Sequence, residues 1–128
     1  MSQKTYATFE NYGNPALQKE SEVITTSNYT PIEIQSIQHK KKILTDYGMV
    51  VVLVHAKWCG PCKGFKPKFF QYAKTNINKA YFAQEDVDLG LTEGISAVPS
   101  ILVYKRGKLF KIIKGGKLEE VDELLPPM

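Results

Sequence analysis

The sequence predicts an α/β fold: a central mixed β-sheet of four or five strands flanked by helices. Three observations predict it. Met49–Val54, leading into His55, is an unbroken and largely β-branched apolar run, as in a strand buried on both faces. Strand-like segments alternate with helical periodicity through the middle of the chain, and a strand–turn–strand–helix series closes it. Finally, 128 residues with 43% hydrophobic and 23% charged side chains suffice for one domain built on a single core.

Residues 1–28 stand apart. They are rich in Ser, Thr, Asn, Gln and Tyr and carry the turn signal Gly13-Asn14-Pro15. They read as a partly ordered N-terminal extension, with Val23-Ile24-Thr25-Thr26 as a candidate short strand. Residues 29–128 are expected to form the domain proper. Ile32-Glu33-Ile34 alternates as a short strand does, with Pro31 at its start, where a missing amide costs least. Ile37, Lys41, Leu44 and Tyr47 recur at helical spacing, and Gly48 is a stop. Beyond Met49–His55, the residues Phe65, Phe69, Tyr72 and Ala73 mark one face of a second helix, which Pro67 is expected to kink at its second turn. Ala80–Val87 reads as a third strand and Glu93-Gly94-Ile95 as a connector. Ser100–Tyr104 and Leu109–Ile113 read as a hairpin closed by Lys105-Arg106-Gly107-Lys108. Leu118, Val121, Leu124 and Leu125 stripe a last helix, ended by Pro126-Pro127.

The net charge of +4 arises from sixteen lysines and one arginine against thirteen acids. Lysines gather at His39-Lys40-Lys41-Lys42, around Cys62, and between Lys105 and Lys117. Nucleic-acid binding would call for a basic stripe with interleaved aromatics or several arginines, and Arg106 is alone. A solvated basic surface is the favoured reading: Lys40–Lys42 as an exposed helix face, and Glu85, Asp86 and Asp88 as a solvated strand end. The first twenty residues are polar, without the apolar core of a secretory signal, and the longest apolar run is the six residues Met49–Val54. A cytoplasmic, reducing location without membrane association is therefore expected.

In such a compartment two cysteines separated by two residues form an improbable staple, because so small a loop removes little chain entropy. Cys59 falls where the apolar strand gives way to a helix. There the unpaired amides and the helix dipole favour a thiolate, and Lys57 and Lys63 add positive potential. Cys62 follows one turn later, within reach of a mixed disulfide formed at Cys59. Gly60-Pro61 tightens the intervening turn. A zinc site made from Cys59, Cys62, His39 and His55 lacks finger-type spacing. A purely structural thiol pair needs no Gly-Pro between its members. Redox chemistry is favoured over both.

Trp58-Cys59-Gly60-Pro61-Cys62-Lys63, followed by Val98-Pro99-Ser100, the hairpin Val103–Lys108 and Gly115, resembles the thioredoxin family from about residue 31 to 125. The resemblance implies a thioredoxin-like fold and reduction of protein disulfides, with Cys59 as attacking and Cys62 as resolving thiol. It implies that Trp58 flanks the site, that Pro99 is a cis-proline facing the disulfide, and that the Val98 backbone pairs with a substrate strand. Gly60, Pro61, Val98 and Gly115 would form the docking surface. No metal or bound cofactor is implied. The expected partners are disulfide-containing proteins and an NADPH-dependent thioredoxin reductase or similar dithiol donor, acting on a monomer.

The chain departs from the family at its buried proton acceptor. An aspartate is usual six residues before the first cysteine, with a lysine near it on the next strand; here these are Leu53 and Gln84. The usual tryptophan two positions beyond is His55. Either Cys62 deprotonates more slowly, or His55 accepts the proton instead. The rival readings are a thioredoxin-like binding module with weak turnover and, within the redox class, an oxidase or isomerase. Gly-Pro between the cysteines favours the reducing direction.

Overall fold

Six of the seven residues of Met49–His55 are buried, and this strand, β2, lies at the centre of the sheet. The computed structural model describes residues 29–127. The Gly13-Asn14-Pro15 turn and the candidate strand Val23–Thr26 lie outside the described residues. Along the chain, β1 (Ile32–Glu33), α1 (Ile37–Asp46), β2, α2 (Gly60–Thr75) and β3 (Tyr81–Asp86) come first. A 3₁₀ turn (Val87–Leu89), β4 (Ser100–Lys105), β5 (Lys108–Lys114) and α3 (Leu118–Leu124) follow. Among the described residues the sheet has five strands in the order β1-β3-β2-β4-β5. β2 runs parallel to β3 and antiparallel to β4, so the sheet is mixed. The fold is thioredoxin-like, with helices on both faces.

Alternation along β2 divides the core in two. Val51 and Leu53 face α2 and α3, where Phe65, Phe69, Ala73 and Val121 are buried. Val50, Val52 and Val54 face the opposite layer, with Ile34, Ala83, Leu102 and Ile43 of α1. At the β4–β5 turn both Arg106 and Gly107 have positive φ (54° and 82°), the conformation that suits the twist of a two-residue hairpin. Helix α2 continues through Pro67. Pro67 is exposed within it, while Phe65, Phe69 and Ala73 on either side are held in the core.

Helix α1 differs from expectation in its phase. Ser36 caps it by accepting from the His39 amide at 3.1 Å. The buried positions are then Lys40 and Ile43, whereas Ile37 and Lys41 are exposed. Lys40 is therefore not part of a solvated helix face, nor Glu85 of a solvated strand end. They are 3% and 1% exposed, and Lys40 Nζ lies 2.8 Å from Glu85 Oε1. Thr92 Oγ1 accepts from Lys40 Nζ and donates to Glu85 Oε2, both at 2.6 Å. The ammonium also sits 5.0 Å from the centroid of the Tyr104 ring. Charges this deep are tolerable only when paired and hydrogen-bonded, and this pair is both.

Candidate active site

The site forms where β2 ends and α2 begins. Ala56 accepts from the Cys59 amide at 3.2 Å, which turns the chain into the helix. Cys59 is the N-cap of α2, and its sulfur accepts from the Cys62 amide at 3.1 Å. A sulfur thus occupies the place where an oxygen usually satisfies an orphan helix amide. Pro61 sits in the first turn, where its missing N–H leaves no bond unmade. The first turn carries no acidic residue, so the positive end of the helix dipole is directed at Cys59 without a competing carboxylate. Lys57 and Lys63 flank the pair as exposed side chains, and their contribution is screened accordingly.

Cys59 and Cys62 are joined as a disulfide with Cα atoms 5.3 Å apart. Both are buried as residues and pack with Ala56 against Val87 and Val98. Trp58 is 68% exposed beside them, its indole N–H donating to Asp88 Oδ2 at 3.0 Å. Asp86 in turn caps the 3₁₀ turn by accepting from the Asp88 amide. The Val98–Pro99 peptide is cis, and the Val98 carbonyl oxygen lies 3.7 Å from Cys59 Sγ. Gly115, at φ 80°, donates its amide to the Pro99 carbonyl at 2.8 Å. The structure thus brings together Trp58, Cys59, Gly60, Pro61, Cys62, Val98, Pro99 and Gly115 around one edge of the molecule.

Behind the disulfide, Leu53 and Gln84 are register partners on the α2 side of the sheet, and both are buried. Gln84 is a structural tie, its amide donating to the Pro31 carbonyl at 3.0 Å. One step nearer the sulfurs, His55 is buried and its Nε2 faces both carboxylate oxygens of Glu33, at 2.9 and 3.1 Å. His39 lies across the sheet on α1, where its Nδ1 accepts from the Gln35 amide. The two histidines therefore lie on opposite faces of the sheet and do not converge on one site. Among the described residues no group of three or more His, Cys, Asp or Glu is arranged to hold a metal ion. No helix there is long and apolar enough to cross a membrane. Sequence reasoning missed Glu33. Its only signal was a carboxylate in a two-residue strand, and the partner is 22 positions away.

A cysteine pair capping a helix beside a cis X-Pro step, on a sheet with this strand order, defines a thiol–disulfide oxidoreductase. The thioredoxin family model matches residues 30–125. Thioredoxin-1 of Schizosaccharomyces pombe is 39% identical over 86 residues, covering 64% of this chain and 82% of its own length. Thioredoxin Asp f 28 of Aspergillus fumigatus is 37% identical over 89 residues, covering 66% and 82%. Among solved structures, mitochondrial thioredoxin 3 of Saccharomyces cerevisiae superposes with a TM-score of 0.67 at 20% identity, covering 74% of this chain and 92% of that one. The chain belongs to the thioredoxin family, and its activity is protein-disulfide oxidoreduction.

Proposed function

We propose that the chain works in the reducing direction, with Cys59 as the attacking and Cys62 as the resolving thiol. The observation that carries the assignment is the position of Cys59 Sγ: it caps α2, accepts from the Cys62 amide and lies against the Val98 carbonyl. A thiolate at Cys59 is favoured by the helix terminus and attacks one sulfur of a substrate disulfide. A Cys59–substrate bond forms as the substrate disulfide breaks, and the other substrate sulfur departs as a thiolate. Cys62 then attacks Cys59 Sγ, forming the intramolecular disulfide and releasing the second substrate thiolate. Two electrons have passed to the substrate, and the chain is left oxidised.

In this reading Trp58, Gly60, Pro61, Val98, Pro99 and Gly115 receive an extended substrate segment, and Lys57 and Lys63 bias the local potential. Residues 29–128 are the working domain, with 1–28 as an extension to it. The electrons come from an NADPH-dependent thioredoxin reductase or another dithiol donor, and the chain acts as a cytoplasmic monomer in electron transport. Insulin-disulfide reduction driven by dithiothreitol tests the activity. The wild-type chain is expected to accelerate it strongly, and Cys59→Ser and Cys62→Ser to abolish the acceleration. A wild-type rate no faster than Cys59→Ser would favour the binding module instead.

A further inference from the structure

The resolving step needs somewhere to put a proton. Cys62 becomes a nucleophile only as a thiolate, yet it is 1% exposed and has little access to bulk water. It lines a cleft of about 620 Å³ together with His55 and Glu33. The other charged groups on that cleft are Lys57 beyond β2, Lys63 and Lys66 on α2, and Asp86 on β3. Lysines are already protonated at neutral pH. An ordinary carboxylate is a base about four pH units weaker than an ordinary thiol, an ordinary imidazole only about two. The cleft therefore holds one side chain suited to take the proton.

We infer that His55 is the proton acceptor for Cys62 and that Glu33 is the residue that positions it and stabilises its charged form. The hydrogen bonding fixes the roles of the ring nitrogens. Nε2 faces both oxygens of a carboxylate, so it carries the proton of the neutral ring and leaves the lone pair on Nδ1. The proton of the Cys62 thiol passes to Nδ1 through the cleft, and the sulfur electron pair forms the bond to Cys59 Sγ. The departing substrate thiolate takes the electron pair of the broken bond. The imidazolium, held by Glu33, then returns its proton to solvent or to the departing thiolate. Because β1 pairs with β3, Glu33 reaches His55 across the strand that carries Gln84. The acid–base function thus stands one step nearer the sulfurs than Leu53.

This inference rests on the dithiol reading above, and one experiment separates the two. The reduced protein is mixed with 5,5′-dithiobis(2-nitrobenzoate) in a stopped-flow instrument. Attack by Cys59 releases one thionitrobenzoate in a concentration-dependent phase, and resolution by Cys62 releases a second in a concentration-independent phase. In the wild type the second phase should level off near neutral pH. In His55→Gln it should slow by about tenfold or more at pH 7 and keep rising into the alkaline range, while the first phase is unchanged. Glu33→Gln, at a side chain 38% exposed and so tolerant of change, should slow the second phase and leave the first unchanged. Should His55→Gln fail to fold, Glu33→Gln carries the test alone. Second phases that superimpose across pH, or both phases slowed alike, overturn the inference. A wild type without a second phase overturns the dithiol reading instead.

Discussion

At the scale of single residues, Gly116 has no room for a side chain. A Cβ there would stand 2.5 Å from two ring carbons of Phe65, which is itself part of the core beneath α2. The ring is confined by its neighbours, so Gly116→Ala must displace it or the loop. The expected cost is about 1–3 kcal/mol, read as a lower urea midpoint with an unchanged slope. Tyr81 stacks on Tyr47 with ring centroids 4.1 Å apart and planes within 7°. Burial first, and the neighbouring Tyr47 second, push the Tyr81 phenol up from 10.0 to about 12. Burial raises Tyr29 further still, and its hydroxyl donates to the Phe82 carbonyl. The fold favours the neutral phenols. Their stabilisation is therefore complete below pH 10, where unfolded tyrosines are also neutral, and is lost as pH rises through about 12. Urea midpoints measured from pH 8 to 12 should fall across the upper half of that range, and Tyr81→Phe should flatten the fall.

At the scale of elements, Lys40, Glu85 and Thr92 tie α1 to β3 and to the loop that leads to the cis Val98–Pro99 step. Removing one charge strands the other. Lys40→Ala is expected to cost about 3–5 kcal/mol, whereas the joint replacement Lys40→Met with Glu85→Leu should cost far less. Denaturation of the two single variants and the double closes the cycle, and additive losses would contradict a coupled pair. This tie was not legible in the sequence. Lys40 is one of three consecutive lysines, and nothing local distinguishes the one that turns inward. The distinction is made by Glu85, 45 positions later, and by the cap at Ser36 that sets the phase of α1. Apolar periodicity does register Leu44 and Tyr47, but it does not register a buried ion pair, because the side chains involved read as polar.

At the scale of the whole molecule, the strands were legible where local preference and burial agree. β2 spans Met49–His55 as its apolar run predicts, and the hairpin turns at Arg106-Gly107 between β4 and β5. The junction of β2 with α2 was legible too, because a cysteine followed by Gly-Pro both caps and starts a helix. The pairing of His55 with Glu33 was not. It depends on β3 lying between β1 and β2, a matter of topology to which neither short segment points. The chemistry therefore divides in the same way. The attacking half at Cys59 follows from local sequence, and the proton path behind Cys62 follows from the sheet.

Trapping the covalent intermediate tests the central claim most directly. Cys62→Ser, incubated with a disulfide-bonded protein such as insulin and quenched with an alkylating agent, should accumulate a mixed disulfide located by peptide mass spectrometry at Cys59. Cys59→Ser should yield almost none at Cys62, which lies within the first turn of α2 rather than at its cap. Equal adducts in the two variants, or none in either, would contradict the assignment of Cys59 as the sulfur that meets the substrate.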